Sequence, residues 1–449
     1  MLKAGAAQVD ITPDPGIQLA GDIGRYRPTE EVRERLYARA LVLEGDGARA
    51  CLLSLDLLAT NNFWSGEIRR RAAARFGLAP EAVMVHVVQN HASPTLGHFF
   101  VSDECALMPP EYPWLRGGDD RYNEPTVARI LEAIERAAAA MQPVEMKLAR
   151  AMDGRVAFNR RFVMRDGSAR CHPPNCDPQI LHVEGPTDPE VGVMLLTGRD
   201  GRPVAGLLHH TCHPCHGYPH RYVIADWPGA WAELMAGQMG VPLVINGCCG
   251  NVHHNNHVDP HAMHDHRRMG EMLAETARRA LERAEPTGST ALDFRRKVLR
   301  LPLRRLKQEE VTWARRYVEE HPGPEWIDAE KTRVTWDWVY AVCTMDLRAR
   351  QERDPLCDYE VQAFRIGDLA LVTLMGEPFV EAQLQIKLAS PARHTFVAHF
   401  CNGYAGYVPT RRAFERGGYE TRTSNGSKWE PDALDAIADE AVGLVRHLF

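Results

Sequence analysis

The sequence contains no apolar run that approaches the roughly 18 residues needed to span a membrane. Its first residues, MLKAGAAQVDITPDPG, contain neither the long apolar segment nor the cleavage site of a secretory signal peptide. Positive charge is not in excess, because 53 Lys and Arg residues are outnumbered by 59 Asp and Glu residues, giving a formal net charge of −6. We therefore predict a cytoplasmic protein that inserts into no membrane and binds no nucleic acid.

A disulfide framework is also missing. The 11 cysteines are odd in number and scattered along the chain, which predicts free thiols in a protein without an export signal. Histidine is abundant instead, with 20 residues, of which eleven fall between His209 and His266. Proton transfer and metal binding are the usual uses of such a concentration.

Repeats, low-complexity segments and long linkers are absent from the 449 residues. An apolar fraction of 45% and a charged fraction of 25% are typical of an ordinary globular protein with a large core. Strand-like and helix-like patterns alternate along the first half of the chain, which predicts an α/β fold. We predict a single catalytic domain over residues 1–449, with a smaller appended subregion near residues 290–355.

Turn and capping residues mark several predicted elements. The pairs Asp46–Gly47 and Gly367–Asp368 are predicted to turn two hairpins. One helix is predicted to begin at Ser65 and to end at Gly77, and a longer amphipathic helix is predicted to begin at Asn123. The segment ALDFRRKVLRLPLRRL alternates like an edge strand.

Five apolar runs each end in a cluster of polar and reactive residues. In α/β sheets, ligands bind beyond the strand ends, where the loops converge. A single histidine at a strand end usually has a structural role, but five such clusters together predict a site. The clusters are QNHASPTLGH (89–98), HHTCHPCHGYPH (209–220), NGCCGNVHHNNH (246–257), MGEPF (375–379) and CNGYAGY (401–407).

These motifs resemble, in the same order, those of the neutral ceramidase family, which are zinc-dependent amidases. NHASPTLG is similar to the family's His-Thr-His-Ser-Gly-Pro-Gly loop, and HTCHP followed by ADWPG resembles its second metal loop. GYAGYVPTRRAFERGGYE is close to its tyrosine-rich motif. The resemblance covers most of residues 1–425 and implies the mixed-sheet, layered catalytic domain of that family, without its C-terminal β-sandwich.

The resemblance also implies one bound divalent ion, Zn²⁺. It places metal ligands at His213, Glu377 and Tyr407, and an oxyanion-stabilising tyrosine at Tyr419. The first metal loop departs from the pattern, because Gln89 replaces the ligand histidine and only His91 matches the second histidine of that loop. We predict that His91 is either a metal ligand or a catalytic residue.

The family's nucleophilic serine is replaced as well, by His253. His91 or His253 would supply the missing imidazole, since a glutamine amide is a weak ligand for zinc. Without the serine, metal-activated water becomes the predicted nucleophile. His253 is alternatively a general acid or base with a pKa near the working pH. The neighbouring His254 aligns equally well with the position of the family's serine. We assign His254 and Gln89 to substrate binding.

Three functions remain open. The first is a metal-dependent hydrolase that cleaves an amide or similar bond of a small molecule; ceramide itself is disfavoured, because no membrane-binding helix is predicted. The second is a metal-assisted lyase or other carbohydrate-active enzyme acting on a uronate-containing glycan. Arg160, Arg161 and Arg221 would bind the uronate, since guanidinium groups match carboxylates. The third is a relative without catalysis.

Overall fold

The computed structural model describes all 449 residues. Its largest element is a nine-stranded mixed sheet that is antiparallel in the middle and parallel at both edges. In spatial order its path is Val241–Asn246, Pro203–His210, Glu190–Gly198, Gln142–Met152, Lys3–Asp10, Tyr37–Gly45, Ala48–Leu55 and Val83–Val87, with Glu285–Pro286 beside the fourth strand.

A second sheet of four strands contains Leu292–Pro302, Leu356–Ile366, Leu369–Leu374 and His394–Ala398, in that order. The strand Leu292–Pro302 lies at its edge, as the alternating pattern predicted. This strand pairs with Leu356–Ile366 along its whole length, although it lies within residues 290–355, the predicted appended subregion. The division of the chain into domains stays a prediction.

Both predicted hairpins are confirmed. Asp46 and Gly47 have φ values of 49° and 80°, the left-handed backbone that a tight two-residue hairpin requires. Gly367, at φ 59°, turns the hairpin between Leu356–Ile366 and Leu369–Leu374.

The two sheets pack face to face, with helices on both outer faces. Leu43 and Leu207 of the first sheet share a buried cluster with Leu371 and Phe396 of the second. Gly192 brings the sheets close together, because a Cβ atom there would lie 2.2 Å from the ring of Phe396. The result is a four-layer α/β/β/α arrangement, which confirms the predicted mixed-sheet, layered α/β class.

Helices cover these outer faces. Those over the first sheet are Asn62–Phe76, Asp120–Ala139, Asp226–Met239 and His266–Leu281. Those over the second sheet are Val380–Ala389 and Ala433–Leu448. The helices Gln308–Glu320 and Trp336–Arg353 pack on each other, and a short helix spans Arg411–Arg416. No helix is both long and apolar enough to cross a membrane.

Two predicted helix starts were wrong by three residues. The first helix begins at Asn62 rather than Ser65, because the Asn61 side chain caps it by accepting a hydrogen bond from the backbone N–H of Trp64. The second begins at Asp120 rather than Asn123, with Asp119 as its cap. The predicted end at Gly77 is confirmed, with φ 63°.

Short strands connect the loops beyond the sheet edges. Phe158–Asn159 pairs with Val252–His253, Glu377–Pro378 with Tyr407–Val408, and Glu31–Val32 with Tyr222–Val223. A three-stranded sheet of Arg161–Met164, Ala169–Cys171 and Ile180–Val183 lies beside them. All 11 cysteines are free thiols, as predicted.

Candidate functional site

The five polar clusters meet beyond the strand ends. His213 forms a parallel bridge with His253, and the strand containing Glu377 pairs with the strand containing Tyr407. His86, at the end of an edge strand, bridges to Cys401. Loops that are far apart in the sequence are therefore joined by backbone hydrogen bonds.

Asn246 connects three of these loops, and the sequence analysis did not single it out. Its side-chain amide donates to the carbonyl oxygens of Val88 (2.9 Å) and Cys212 (3.0 Å), and its Oδ1 accepts from the N–H of Cys212 at 3.1 Å. Its backbone N–H donates to Nε2 of His86 at 3.0 Å. The sequence did contain a signal for this residue, because Asn246 ends an apolar strand and is followed directly by a glycine.

The most direct contact between predicted ligands joins His213 and Glu377. Nδ1 of His213 lies 2.6 Å from the carbonyl oxygen of Cys249, which fixes the ring proton on Nδ1. Its Nε2 is buried, has no hydrogen-bond partner and lies 3.3 Å from Oε2 of Glu377. Burial, with the charge of Arg160, lowers the pKa of His213 to about 3, so the imidazole is neutral. A lone pair therefore faces a carboxyl oxygen.

Gln89 holds the same carboxyl group. Its Nε2 donates to Oε2 of Glu377 at 2.6 Å, and its Oε1 lies 3.4 Å from the Cys249 thiol. Gln89 is buried and has φ 68°, a conformation that is uncommon outside glycine. Burial raises the pKa of Glu377, while the charge of Arg160 and the hydrogen bonds from Gln89 and Tyr407 oppose that rise.

His91 lies on the other side of His213, with ring centroids 5.5 Å apart. Its Nε2 is also buried without a hydrogen-bond partner. Its carbonyl oxygen accepts from Arg27 at 3.1 Å, and its N–H donates to the carbonyl of Pro214 at 3.0 Å. Burial lowers the pKa of His91 to about 3, which leaves a second neutral imidazole with a free lone pair.

This donor set fits a zinc ion in composition. Two ligands of one tetrahedral zinc ion, each bound at about 2.0–2.1 Å, lie roughly 3.3 Å apart, which is the separation of His213 Nε2 and Glu377 Oε2. The structure has no group of three or more His, Cys, Asp or Glu side chains arranged so that they could hold an ion. His213 and Glu377 are therefore at the separation of two zinc ligands. A third ligand would require the unpaired Nε2 of His91 to approach these two atoms.

Two tyrosines flank this pair. The hydroxyl groups of Tyr407 and Tyr419 lie 3.5 Å apart, and the Tyr419 side chain is partly open to solvent. The guanidinium of Arg160 lies 5.6 Å from the Tyr407 ring centroid and 5.3 Å from that of Tyr419. Burial raises the pKa of both hydroxyl groups, so both remain hydrogen-bond donors.

The three predicted substrate-binding arginines have different environments. Arg160 donates to Glu420 (3.2 Å) and to the carbonyl of Gly250 (2.6 Å), through Nε and Nη2. Arg161 pairs with both Glu420 and Glu184 and is fully buried. Arg221 pairs with Glu30 at the surface. Of the three, Arg160 contacts the tyrosines of the site.

Glu420 is a further residue that the sequence analysis did not identify. Its two carboxylate oxygens accept from Arg160 and Arg161, and it is fully buried. The sequence could have indicated Glu420, because it directly follows Tyr419 in the tyrosine-rich motif.

His253 is more strongly perturbed than predicted. Its Nδ1 accepts the backbone N–H of Asn255 at 3.1 Å, which assigns the ring proton to Nε2. Burial, followed by the neighbouring histidines His254, His172 and His213, holds its pKa well below the ordinary value. The prediction of a pKa near the working pH is therefore corrected: the group is a neutral imidazole that donates through Nε2.

The His254 side chain packs against His216 rather than against the predicted metal ligands. Its ring stacks on His216 with centroids 3.7 Å apart, and Nδ1 of His216 lies 2.7 Å from Oδ1 of Asp226. Asp226 is fully buried with φ 53°. Neither His216 nor Asp226 was predicted, although both fall in the second loop and the ADWPG motif.

No protein-family profile matches this sequence, and no curated protein matches it at a significant level. Solved structures do match this chain. The crystal structure of neutral ceramidase from Pseudomonas aeruginosa aligns with a TM-score of 0.74 and 19% identity, over 99% of this chain and 74% of that chain. A structure described as ceramidase complexed with C2 aligns with a TM-score of 0.73 at the same identity and coverage. At this identity the likeness establishes architecture rather than chemistry: the chain has the neutral ceramidase fold.

Proposed function

We propose that this chain is a zinc-dependent hydrolase that cleaves an amide or a similar acyl bond of a small molecule. The observation that supports it best is the bare Nε2 of His213, buried 3.3 Å from the Glu377 carboxyl oxygen. Two such atoms repel each other unless a proton or a cation lies between them. The likeness to ceramidase structures, which are hydrolases, favours the same reaction class.

His213, Glu377 and His91 would hold the ion, with Tyr407 as the fourth group. A divalent ion bound there would polarise the acyl carbonyl and lower the pKa of an attacking water. Hydrolysis adds the water oxygen to the carbonyl carbon and breaks the C–N bond, and the amine leaves with a proton.

The chain's own residues supply hydrogen-bond donors around this centre. Tyr419 is the more exposed of the two tyrosines, with 40% of the residue open to solvent, and its hydroxyl stays protonated because its pKa is raised. Nε2–H of His253 is a second donor. Donors held in place before reaction stabilise the oxyanion that develops on the carbonyl oxygen. Neither residue needs to become charged for this role.

The lyase alternative has less support. A uronate carboxylate requires guanidinium groups that are free to bind it. All three predicted arginines are already paired with carboxylates, Arg160 and Arg161 with Glu420 and Arg221 with Glu30, so none is free to bind a uronate. We therefore favour acyl hydrolysis over elimination.

The test measures metal content and hydrolysis on the same samples. Wild-type protein purified without chelator is expected to contain about one equivalent of zinc and to hydrolyse soluble short-chain N-acyl amides. His213→Ala should lose both. The matched control is His182→Ala, which removes an exposed histidine from the strand Ile180–Val183. Metal-free wild-type protein with full hydrolytic activity would refute the proposal.

A further inference from the structure

A lysine near Tyr404, which belongs to the fifth polar cluster, is buried without a carboxylate partner. Lys428 is 3% exposed, and its one side-chain hydrogen bond is to Oδ1 of Asn425 at 3.3 Å. No carboxylate oxygen lies within 4.0 Å of its ammonium group. Buried ammonium groups are normally paired, because removing one from water is costly.

A second cation lines the same cavity and is also unpaired. Nη2 of Arg350 donates to the Cys357 sulfur at 2.7 Å, and this guanidinium makes no salt bridge. The carboxylate that acts on Lys428 from nearby, Asp346, is already bound by the N–H (2.8 Å) and the hydroxyl (2.5 Å) of Ser102. The cavity therefore contains two cationic side chains, neither of which forms a salt bridge.

Two carboxylates that line this cavity interact with groups other than Lys428 and Arg350. Asp358 pairs with Arg300 at 3.2 Å, and Asp103 lies 3.6 Å from His98. Both carboxylate side chains are mostly exposed, at 61% and 74%. Exposed carboxylates contribute little to neutralising a buried charge, because water screens them.

Four aromatic side chains are among the fifteen residues that line this cavity. The cavity has a volume of about 220 Å³ and is lined by Phe63, Phe99, Tyr404 and Trp429. The Lys428 ammonium lies 5.5 Å from the Tyr404 ring centroid and 5.6 Å from that of Trp429. These rings give one part of a mostly polar lining an apolar surface, against which the body of a small molecule could pack.

We infer that this cavity binds a small organic carboxylic acid, with its carboxylate between Lys428 and Arg350 and its apolar body against Phe99 and Trp429. The inference does not depend on the proposed hydrolase activity. Burial lowers the pKa of Lys428 to about 8, which is the effect of a cation that lacks a counter-charge. A bound carboxylate would supply that charge.

The experiment is calorimetric titration of the full chain with benzoate, phenylacetate and hexanoate. We expect saturable binding of at least one acid, with one site per chain, and much weaker binding of the uncharged analogue benzamide. Lys428→Met keeps the apolar stem and removes the charge, so it should weaken acid binding on the order of tenfold or more. Lys331→Met is the matched control, because Lys331 is an exposed lysine beside the Tyr112 ring.

Arg350→Gln is a second test variant and should also weaken binding, which keeps the inference testable if Lys428→Met fails to fold. Absence of saturable binding for all three acids would overturn the inference. Equal affinity in wild type and Lys428→Met would overturn it too. Inorganic phosphate that competes as well as the organic acids would show an anion site without the proposed apolar recognition, which also contradicts the inference.

Discussion

Nε2 of Gln89 donates to Oε2 of Glu377 over 2.6 Å, from the position that the family resemblance gives to a metal-binding histidine. The amide therefore orients the carboxylate, and it would not compete with Glu377 for the proposed zinc ion. Hydrogen bonds of this kind fix the direction of a ligand's lone pairs and tune its affinity for a metal. In the proposed metal centre, Gln89 would therefore act on the ion through Glu377 rather than as a ligand.

Gln89 variants test this role. Gln89→Ala should weaken zinc binding by roughly 10–100-fold, because Glu377 loses its orienting donor. Gln89→His should strengthen it, because an imidazole is a better ligand. Competition with a metal-sensitive chelator measures both, with the exposed Gln179→Ala as the control. Unchanged affinity in Gln89→Ala would count against the proposed metal centre.

His253→Ala separates three roles for this residue. As a neutral donor to the oxyanion, its loss should lower kcat on the order of 10²–10³-fold while zinc content and melting temperature stay the same. Loss of zinc would identify a ligand instead, and unchanged kcat would leave a structural role. Steady-state kinetics and elemental analysis on the same preparation distinguish these results.

A serine-directed fluorophosphonate probe should leave the site unlabelled. The loop from Gly250 to Asn255 contains no serine, and the family resemblance aligns His253 with the family's nucleophilic serine. His253→Ser should stay unlabelled too, because Gln89 still differs from the family pattern and a nucleophile requires matched oxyanion donors. Mass mapping of a labelled serine near His213 would contradict the proposal of water as the nucleophile.

Stability should fall as pH falls below neutrality. Burial lowers the pKa of His86 from 6.5 to about 4, although its hydrogen bond to the His399 carbonyl acts in the opposite direction. The unfolded chain binds the proton first, so this contribution is complete above pH 6.5 and is lost as pH falls towards 4. For this one group it amounts to about 3 kcal/mol. Urea unfolding between pH 7 and 4 measures it, and His86→Gln should show a shallower dependence.

Glu420→Gln should destabilise the fold. The carboxylate neutralises Arg160 and Arg161 at a fully buried position, and removing one partner of a buried ion pair costs roughly 3–5 kcal/mol. Glu415→Gln, at an exposed position, is the matched control. Urea unfolding of the two variants gives the difference, and equal stability would show that Glu420 is dispensable for the fold.

The sequence alone determined the α/β class, both hairpin turns, the edge strand and the positions of the five polar clusters. These features depend on local chemistry. Alternation of apolar residues sets which strand faces are buried, and the pairs Asp46–Gly47 and Gly367–Asp368 supply residues that tolerate left-handed backbone. The helix starts were wrong because several capping residues lie within one turn of each other, and the propensities of Asn61 and Ser65 are similar.

Only the tertiary structure decided which polar residues act on one another. Arg161 and Arg160 are neighbours in sequence and both bind Glu420, yet only the first also binds Glu184, and only the second lies against the rings of Tyr407 and Tyr419. The proton position on His253 depends on a backbone N–H from Asn255, and its low pKa depends on burial. Such effects depend on contacts between segments that are distant in the sequence, and a residue's type and local pattern do not specify those contacts.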